Sequence, residues 1–303
     1  MKAFRLLLIP LCLLACQRPD AVKSGFCEVS GGQKIYYEVS GAGTPVVLLH
    51  GHSLDTRMWD GQFPAFARKH RTVRLDFRGY GRSDEPQEGF QFTHMDDLLT
   101  LMDTLGIGRA HIVGLSMGGF IAGDLIAMHP ERLLSCTMAS GMIRNSPGPS
   151  EPMDSLESAQ RDAEIATLLK QGVDRMKQEW IDGLIAGGGS RRESIRPALE
   201  QMVGDWTAWQ PLHKEPRLIV GRDAIRVLHE RRPEIPALII LGGKDVERGS
   251  TTHPDMLNYL PNGRCEVLPD CGHMCNMEQP EAFNALVLGF IESVDNSQIP
   301  AIQ

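Results

Sequence analysis

Ala110-His111-Ile112-Val113-Gly114-Leu115-Ser116-Met117-Gly118-Gly119-Phe120 is the stretch whose reading decides the fold. A short apolar run, Ile112-Val113, leads into a serine set between glycines, and a helical pattern follows from Phe120 to His129. Strand, sharp turn and helix form the context in which a G-x-S-x-G pattern presents a nucleophile. The turn forces the serine backbone into strain, so its neighbours must lack bulk. Gly114 and Gly118 leave that room, and Gly119 lets the helix approach the sheet. The helix N-terminus faces any negative charge that develops near Ser116.

Outward from this turn the pattern repeats. Lys34 to Val39 alternates as a strand does, and Gly41-Ala42-Gly43 turns the chain. Val46-Val47-Leu48-Leu49 is an unbroken apolar run that suits a central strand buried on both faces. It ends in His50-Gly51-His52-Ser53, with Met58-Trp59 further on. Thr72 to Leu75 is a further strand, followed by Asp76-Phe77-Arg78-Gly79-Tyr80-Gly81-Arg82-Ser83. Thr93 to Leu105 carries a helical stripe of Met95, Leu98, Leu99, Met102 and Leu105, with Thr93 and Asp96 as an N-cap pattern and Gly106 as its stop. Leu133 to Ala139 is the next strand. Strands alternating with helices imply right-handed crossovers and a parallel sheet, with the ligand site beyond the carboxyl ends of the strands.

After Ser140-Gly141 the character changes. Asn145 to Pro152 reads as a linker rich in Pro, Ser and Gly. Leu156 to Leu228 is helical and polar, is interrupted by Gly187-Gly188-Gly189 and by Pro197, Pro211 and Pro216, and carries Trp180, Trp206 and Trp209. The sheet resumes at Ala237 to Leu241 and is followed by Gly242-Gly243-Lys244-Asp245. A last strand, Arg264 to Leu268, precedes Asp270-Cys271-Gly272-His273, then Glu278-Gln279-Pro280. Phe283, Leu286, Val287, Phe290 and Ile291 stripe a closing helix from Glu281 to about Val294.

These motifs resemble the α/β-hydrolase fold family, serine-hydrolase branch, over roughly residues 34–294. The resemblance implies a mostly parallel, eight-stranded twisted sheet flanked by helices, with a helical cap inserted after the sixth strand. The implied division is leader 1–15, tether 16–25, core 26–144, cap 145–228, core 229–295 and tail 296–303. It implies Ser116 as nucleophile, His273 as general base and Asp245 as the acid that fixes the tautomer of the histidine. Asp223 and Glu247 compete for the acid's role. The backbone N–H groups of His52 and Met117 are implied as oxyanion donors. The D-x-R-G-x-G-x-S run is implied as structural support, with Asp76 and Arg78 paired, and His50 as a structural histidine. The tryptophans are expected to pack between cap helices. A serine at the elbow argues against the branches that use a carboxylate nucleophile. The implied reaction is hydrolysis of an ester or related acyl compound, without cofactor or metal. Carbon–carbon hydrolysis, lactone opening, peptidase action and cofactor-free perhydrolysis use the same triad, and a non-enzymatic ligand-binding lipoprotein is the reading from another class.

Composition sets further bounds. The chain has 303 residues, 42% of them hydrophobic, enough for one large α/β domain with an insertion. The formal charge of −7 argues against nucleic acid as a partner. Met1 to Ala15 reads as an export leader, with Lys2 and Arg5 ahead of an apolar run too short to span a bilayer. Leu13-Leu14-Ala15-Cys16 resembles a bacterial lipobox, which implies lipidation of Cys16, membrane anchoring and a periplasmic or external location. Gln17 in the following position suggests outer-membrane sorting if the source is Gram-negative. Export permits disulfides. Cys136 is expected as a buried thiol, and among Cys265, Cys271 and Cys275 a disulfide is favoured over a metal site.

Overall fold

The computed structural model describes residues 21–141, 143, 155–214, 224–247 and 254–298. Eight strands form one sheet: β1 (Lys23–Glu28), β2 (Lys34–Ser40), β3 (Pro45–Leu49), β4 (Arg71–Leu75), β5 (Ala110–Leu115), β6 (Leu133–Ala139), β7 (Ala237–Gly242) and β8 (Gly263–Leu268). Their spatial order is β1-β2-β4-β3-β5-β6-β7-β8. β2 pairs antiparallel with both β1 and β4, and every other pairing is parallel. The run read as a central strand, Val46 to Leu49, lies in the middle as part of β3, between β4 and β5. All six residues of β5 and all six of β7 are buried, while the edge strand β8 is largely open to solvent on one face.

The helices are α1 (Phe63–Phe66), α2 (His94–Thr104), α3 (Met117–Met128), α4 (Ser155–Gln171), α5 (Val173–Ala186), α6 (Arg196–Asp205), α7 (Trp209–Leu212), α8 (Ala224–Arg231), α9 (Gly243–Glu247), α10 (Cys275–Glu278) and α11 (Pro280–Gln298). α3 leaves the elbow three residues earlier than the pattern suggested and is buried over nearly its whole length, which explains its apolar character all round. α2 begins as expected: Thr93 Oγ1 accepts the Asp96 N–H at 3.0 Å.

Four expectations are corrected. β1 begins at Lys23, inside the stretch assigned to a tether, and pairs residue for residue with β2 from Lys23↔Val39 to Glu28↔Lys34. α8, expected as the end of the cap, packs instead on α3, and Arg231 Nη1 reaches the Ala127 carbonyl at 3.3 Å. Arg78 does not pair with Asp76. Its fully buried guanidinium grips Asp97 of α2 at 2.7 and 2.5 Å and reaches Gln33 and Ser30. Asp76 instead accepts the backbone N–H groups of Thr56 and Arg82. Finally, Cys27, Cys136, Cys265, Cys271 and Cys275 are all free thiols. Cys271 turns to the Leu268 carbonyl and Cys275 is buried at the start of α10, so proximity in sequence produces no bridge. The linker around residues 145–152, the leader and Cys16 lie outside the described residues.

Among the described residues, α4 to α7 make up the cap, inserted after β6. Arg161 of α4 donates to the carbonyls of Gln210 and His213, and Arg57 of the core pairs with Asp205 of α6 at 2.9 Å. No helix among the described residues is long and apolar enough to cross a membrane.

Candidate active site

Ser116 caps α3 with φ 54° and ψ −114°, a backbone conformation that side-chain-bearing residues rarely adopt. Two hydrogen bonds hold it there: its N–H donates to the Ala139 carbonyl at 2.8 Å, and its carbonyl accepts from Phe120 at 3.0 Å. The surroundings enforce the turn. A methyl group on Gly114 would strike the Gly118 carbonyl, and one on Gly118 would strike the Leu49 carbonyl. β3 and the elbow are thus in backbone contact, and this contact brings the β3 loop to the serine. A methyl group on Gly51 would sit 3.6 Å from the Ser116 Cβ.

That loop supplies His50, Gly51, His52 and Ser53. His50 is a fully buried tie: its Nε2 accepts the Phe77 N–H at 3.0 Å, so its Nδ1 carries the proton donated to the Gly51 carbonyl at 2.8 Å. Burial lowers its pKa and keeps it neutral. This is the structural role the sequence suggested. The N–H groups of His52 and Met117 are the expected oxyanion donors. Both belong to segments that meet at Ser116, as an oxyanion pair requires.

Asp245 stands in α9, directly after β7, and His273 in the loop after β8. The structure joins them: His273 Nδ1 donates to Asp245 Oδ2 at 2.9 Å, with side chains 28% and 18% exposed. Since a carboxylate only accepts, the proton lies on Nδ1 and Nε2 is left free to accept. Asp223 lies outside the described residues, as does the side chain of Glu247. Ser116, His52, Asp245 and His273 all follow the carboxyl ends of parallel strands, where open α/β sheets bind ligands.

The cap closes over the β3 loop with aromatic side chains. Trp180 of α5 donates from Nε1 to Ser53 Oγ at 2.7 Å, and Ser53 donates to the His52 carbonyl. The His52 ring lies edge-on to Trp206, Tyr80 and Trp180, at centroid distances of 5.0, 5.7 and 5.9 Å. Its Nδ1 is 2.8 Å from the Tyr80 hydroxyl. Burial, aided by the neighbouring His50, lowers the His52 pKa to about 4, so it is neutral at physiological pH. Trp180 and Trp206 therefore face the seam above the site. Trp209 stands apart, stacked on His213 at 4.4 Å. Aromatic content marked the region, but no sequence signal distinguished the seam tryptophans from the third. Sequence reading also missed Tyr80 as the partner of His52, because the pairing spans 28 positions.

A doubly wound sheet with a strained serine after its central strand and a cap after the sixth defines an α/β hydrolase. The alpha/beta hydrolase family model matches residues 46–286, and the chain belongs to that family. A Mycobacterium tuberculosis protein with the provisional name non-heme bromoperoxidase BpoC is 32% identical over 269 residues, 85% of this chain and 97% of that relative. The 3-oxoadipate enol-lactonase 1 of Acinetobacter baylyi is 28% identical, over 87% of this chain and 95% of the relative. Among solved structures, Est816, described as an N-acyl homoserine lactone degrading enzyme, aligns with a TM-score of 0.62 at 27% identity. That alignment covers 88% of this chain and all of Est816.

Proposed function

We propose that this member of the hydrolase family is a serine hydrolase that cleaves a small-molecule ester or related acyl compound through Ser116, His273 and Asp245. The observation that carries the reading is the Asp245–His273 hydrogen bond at the same sheet end as the strained Ser116. In this reading His273 Nε2 takes the Ser116 proton as Oγ attacks the carbonyl. The His52 and Met117 N–H groups receive the oxyanion, and Asp245 stabilises the imidazolium that forms. The leaving group departs with the proton from His273. Water, deprotonated by the same nitrogen, then releases the acid from the acyl-enzyme.

The enol-lactonase and the lactone-degrading relative support cyclic esters as part of the substrate range, because ring opening uses the same steps. We further propose that Cys16 is lipidated after removal of residues 1–15 and anchors the enzyme in a membrane facing the periplasm or exterior. Several acyl chains would make such an anchor stable.

A fluorophosphonate probe tests the chemistry. Leaderless protein is expected to be labelled at Ser116, and Ser116→Ala protein is not. An unlabelled wild type at neutral pH refutes the nucleophile assignment. Cys16→Ala is expected to release full-length protein from the membrane fraction, and unchanged partitioning refutes the anchor.

A further inference from the structure

We infer that Glu278 is a positioning residue: its carboxylate clamps the cap to the loop that carries His273, so that seating of the cap fixes the place of the base. The inference rests on the assignment of His273 as the general base.

The geometry is specific. Glu278 ends α10 and is 1% exposed. Its Oε1 accepts the N–H of Gly272, the residue immediately before His273, at 2.9 Å. Its Oε2 accepts the N–H of Gly189, in the cap, at 2.6 Å. One side chain therefore satisfies two backbone donors from segments 83 positions apart in sequence, Gly189 and Gly272. Only a carboxylate offers an acceptor to both. Glutamine would turn an NH2 group toward one of two N–H groups. Burial raises the Glu278 pKa and the two N–H bonds oppose that shift, so its desolvation is only partly offset. A buried carboxylate is a costly way to fill space, and an apolar residue would do so more cheaply.

The seam it closes admits no side chain. A methyl group on Gly189 would strike the Asp270 carbonyl, and one on Gly272 would strike the Gly187 carbonyl. The glycine triplet of the cap is thus laid backbone against backbone on residues 270–272. Ser190 adds two bonds to Asp270, from its N–H at 3.0 Å and from its hydroxyl, and Gln279 Nε2 donates to the Asp270 carbonyl at 2.7 Å. On its other side the loop is registered to the element bearing Asp245. Lys244 N–H donates to the Cys271 carbonyl at 3.0 Å, and Gly242 lies against the Gly272 carbonyl. His273 therefore hangs from a loop held between its acid and the cap, and Glu278 is the buried link on the cap side. A base displaced by a fraction of an ångström loses the alignment of proton transfer before it loses substrate binding.

The test is Glu278→Gln, with Ser190→Ala as a milder lesion at an exposed position of the same seam. Both are assayed on a short-chain 4-nitrophenyl ester and by the rate of fluorophosphonate labelling. Removing a contact that acts only in the transition state lowers kcat and kcat/KM together. Expected are a fall in kcat of roughly 10- to 100-fold for Glu278→Gln and several-fold for Ser190→Ala, with KM within about twofold and labelling slowed in parallel. Wild-type kinetics in a folded Glu278→Gln protein overturn the inference, even if its melting temperature falls. A raised KM with kcat intact also overturns it, because the clamp would then serve only to seat substrate. If Glu278→Gln does not fold, unchanged kcat in Ser190→Ala overturns it. Failure of the underlying reading looks different: wild type itself would go unlabelled.

Discussion

Replacing Ser116 by glycine should stabilise the protein relative to replacing it by alanine, although both variants lack the nucleophile. At φ 54° and ψ −114° the residue occupies a region that glycine enters freely and other residues enter under strain. Such strain costs about 1–3 kcal/mol, and Ser116→Ala keeps it because it keeps Cβ. Ser116→Gly relieves the strain but frees the unfolded chain, which costs about 0.4–1 kcal/mol. The net advantage of glycine is about 1–2 kcal/mol, and in a domain of this size that is a rise in Tm of roughly 2–6 °C. The assay is calorimetry of leaderless Ser116→Gly and Ser116→Ala side by side, with fluorophosphonate labelling to confirm that both are silent. If Ser116→Gly melts at or below Ser116→Ala, the elbow stores no strain and the account of Gly114 and Gly118 as its enforcers fails. The pair isolates backbone strain from chemistry, since neither protein can turn over.

Asp245→Asn should keep the His273 contact but favour the wrong tautomer, and kcat is expected to fall by about 10³- to 10⁴-fold. Near-normal turnover would move the acid's role elsewhere. Arg78→Met removes one partner of a fully buried ion pair and should destabilise the fold by about 3–5 kcal/mol in urea titration; a loss below 1 kcal/mol would mean that Asp97 is easily satisfied without it. Stability should also fall on mild acidification. His52 and His94 are held neutral by burial, with pKa values of about 4 and about 3, below the 6.5 of the unfolded chain. Between pH 6.5 and 5 the unfolded state therefore binds more protons, and each histidine withdraws up to about 2 kcal/mol. A melting temperature flat from pH 7 to pH 5 would contradict this.

How much of this was legible in the sequence depended on the range of the interaction that wrote it. The elbow is spelled by adjacent residues, so its strand, its serine and its helix could be read directly. β3 and β7 are continuous apolar runs because both of their faces are covered. Asp245 and His273, which the structure pairs, could be singled out because each follows a clear strand. β1 was invisible for the opposite reason: Lys-Ser-Gly-Phe-Cys-Glu is a polar edge strand with one buried residue, and only its pairing with β2 defines it. The Arg78–Asp97 pair, the packing of α8 on α3 and the choice of Trp180 and Trp206 over Trp209 are decided between segments far apart in the chain. Periodicity carries no record of such choices. The cysteines teach the same lesson, since close spacing around His273 says nothing about whether two sulfur atoms face each other.

The antiparallel insertion of β2 has a consequence for how the enzyme would stand on a surface. Because β2 alone runs against the rest of the described sheet, β1 runs with the majority and begins at the rear, beside the starts of β3 and β4. The chain before Lys23 therefore departs from the pole opposite Ser116, His273 and the cap. Seven residue steps separate Lys23 from Cys16 and span at most roughly 25 Å when stretched. Under the proposed lipidation, Cys16 would attach within that reach of the end of the sheet opposite Ser116 and His273.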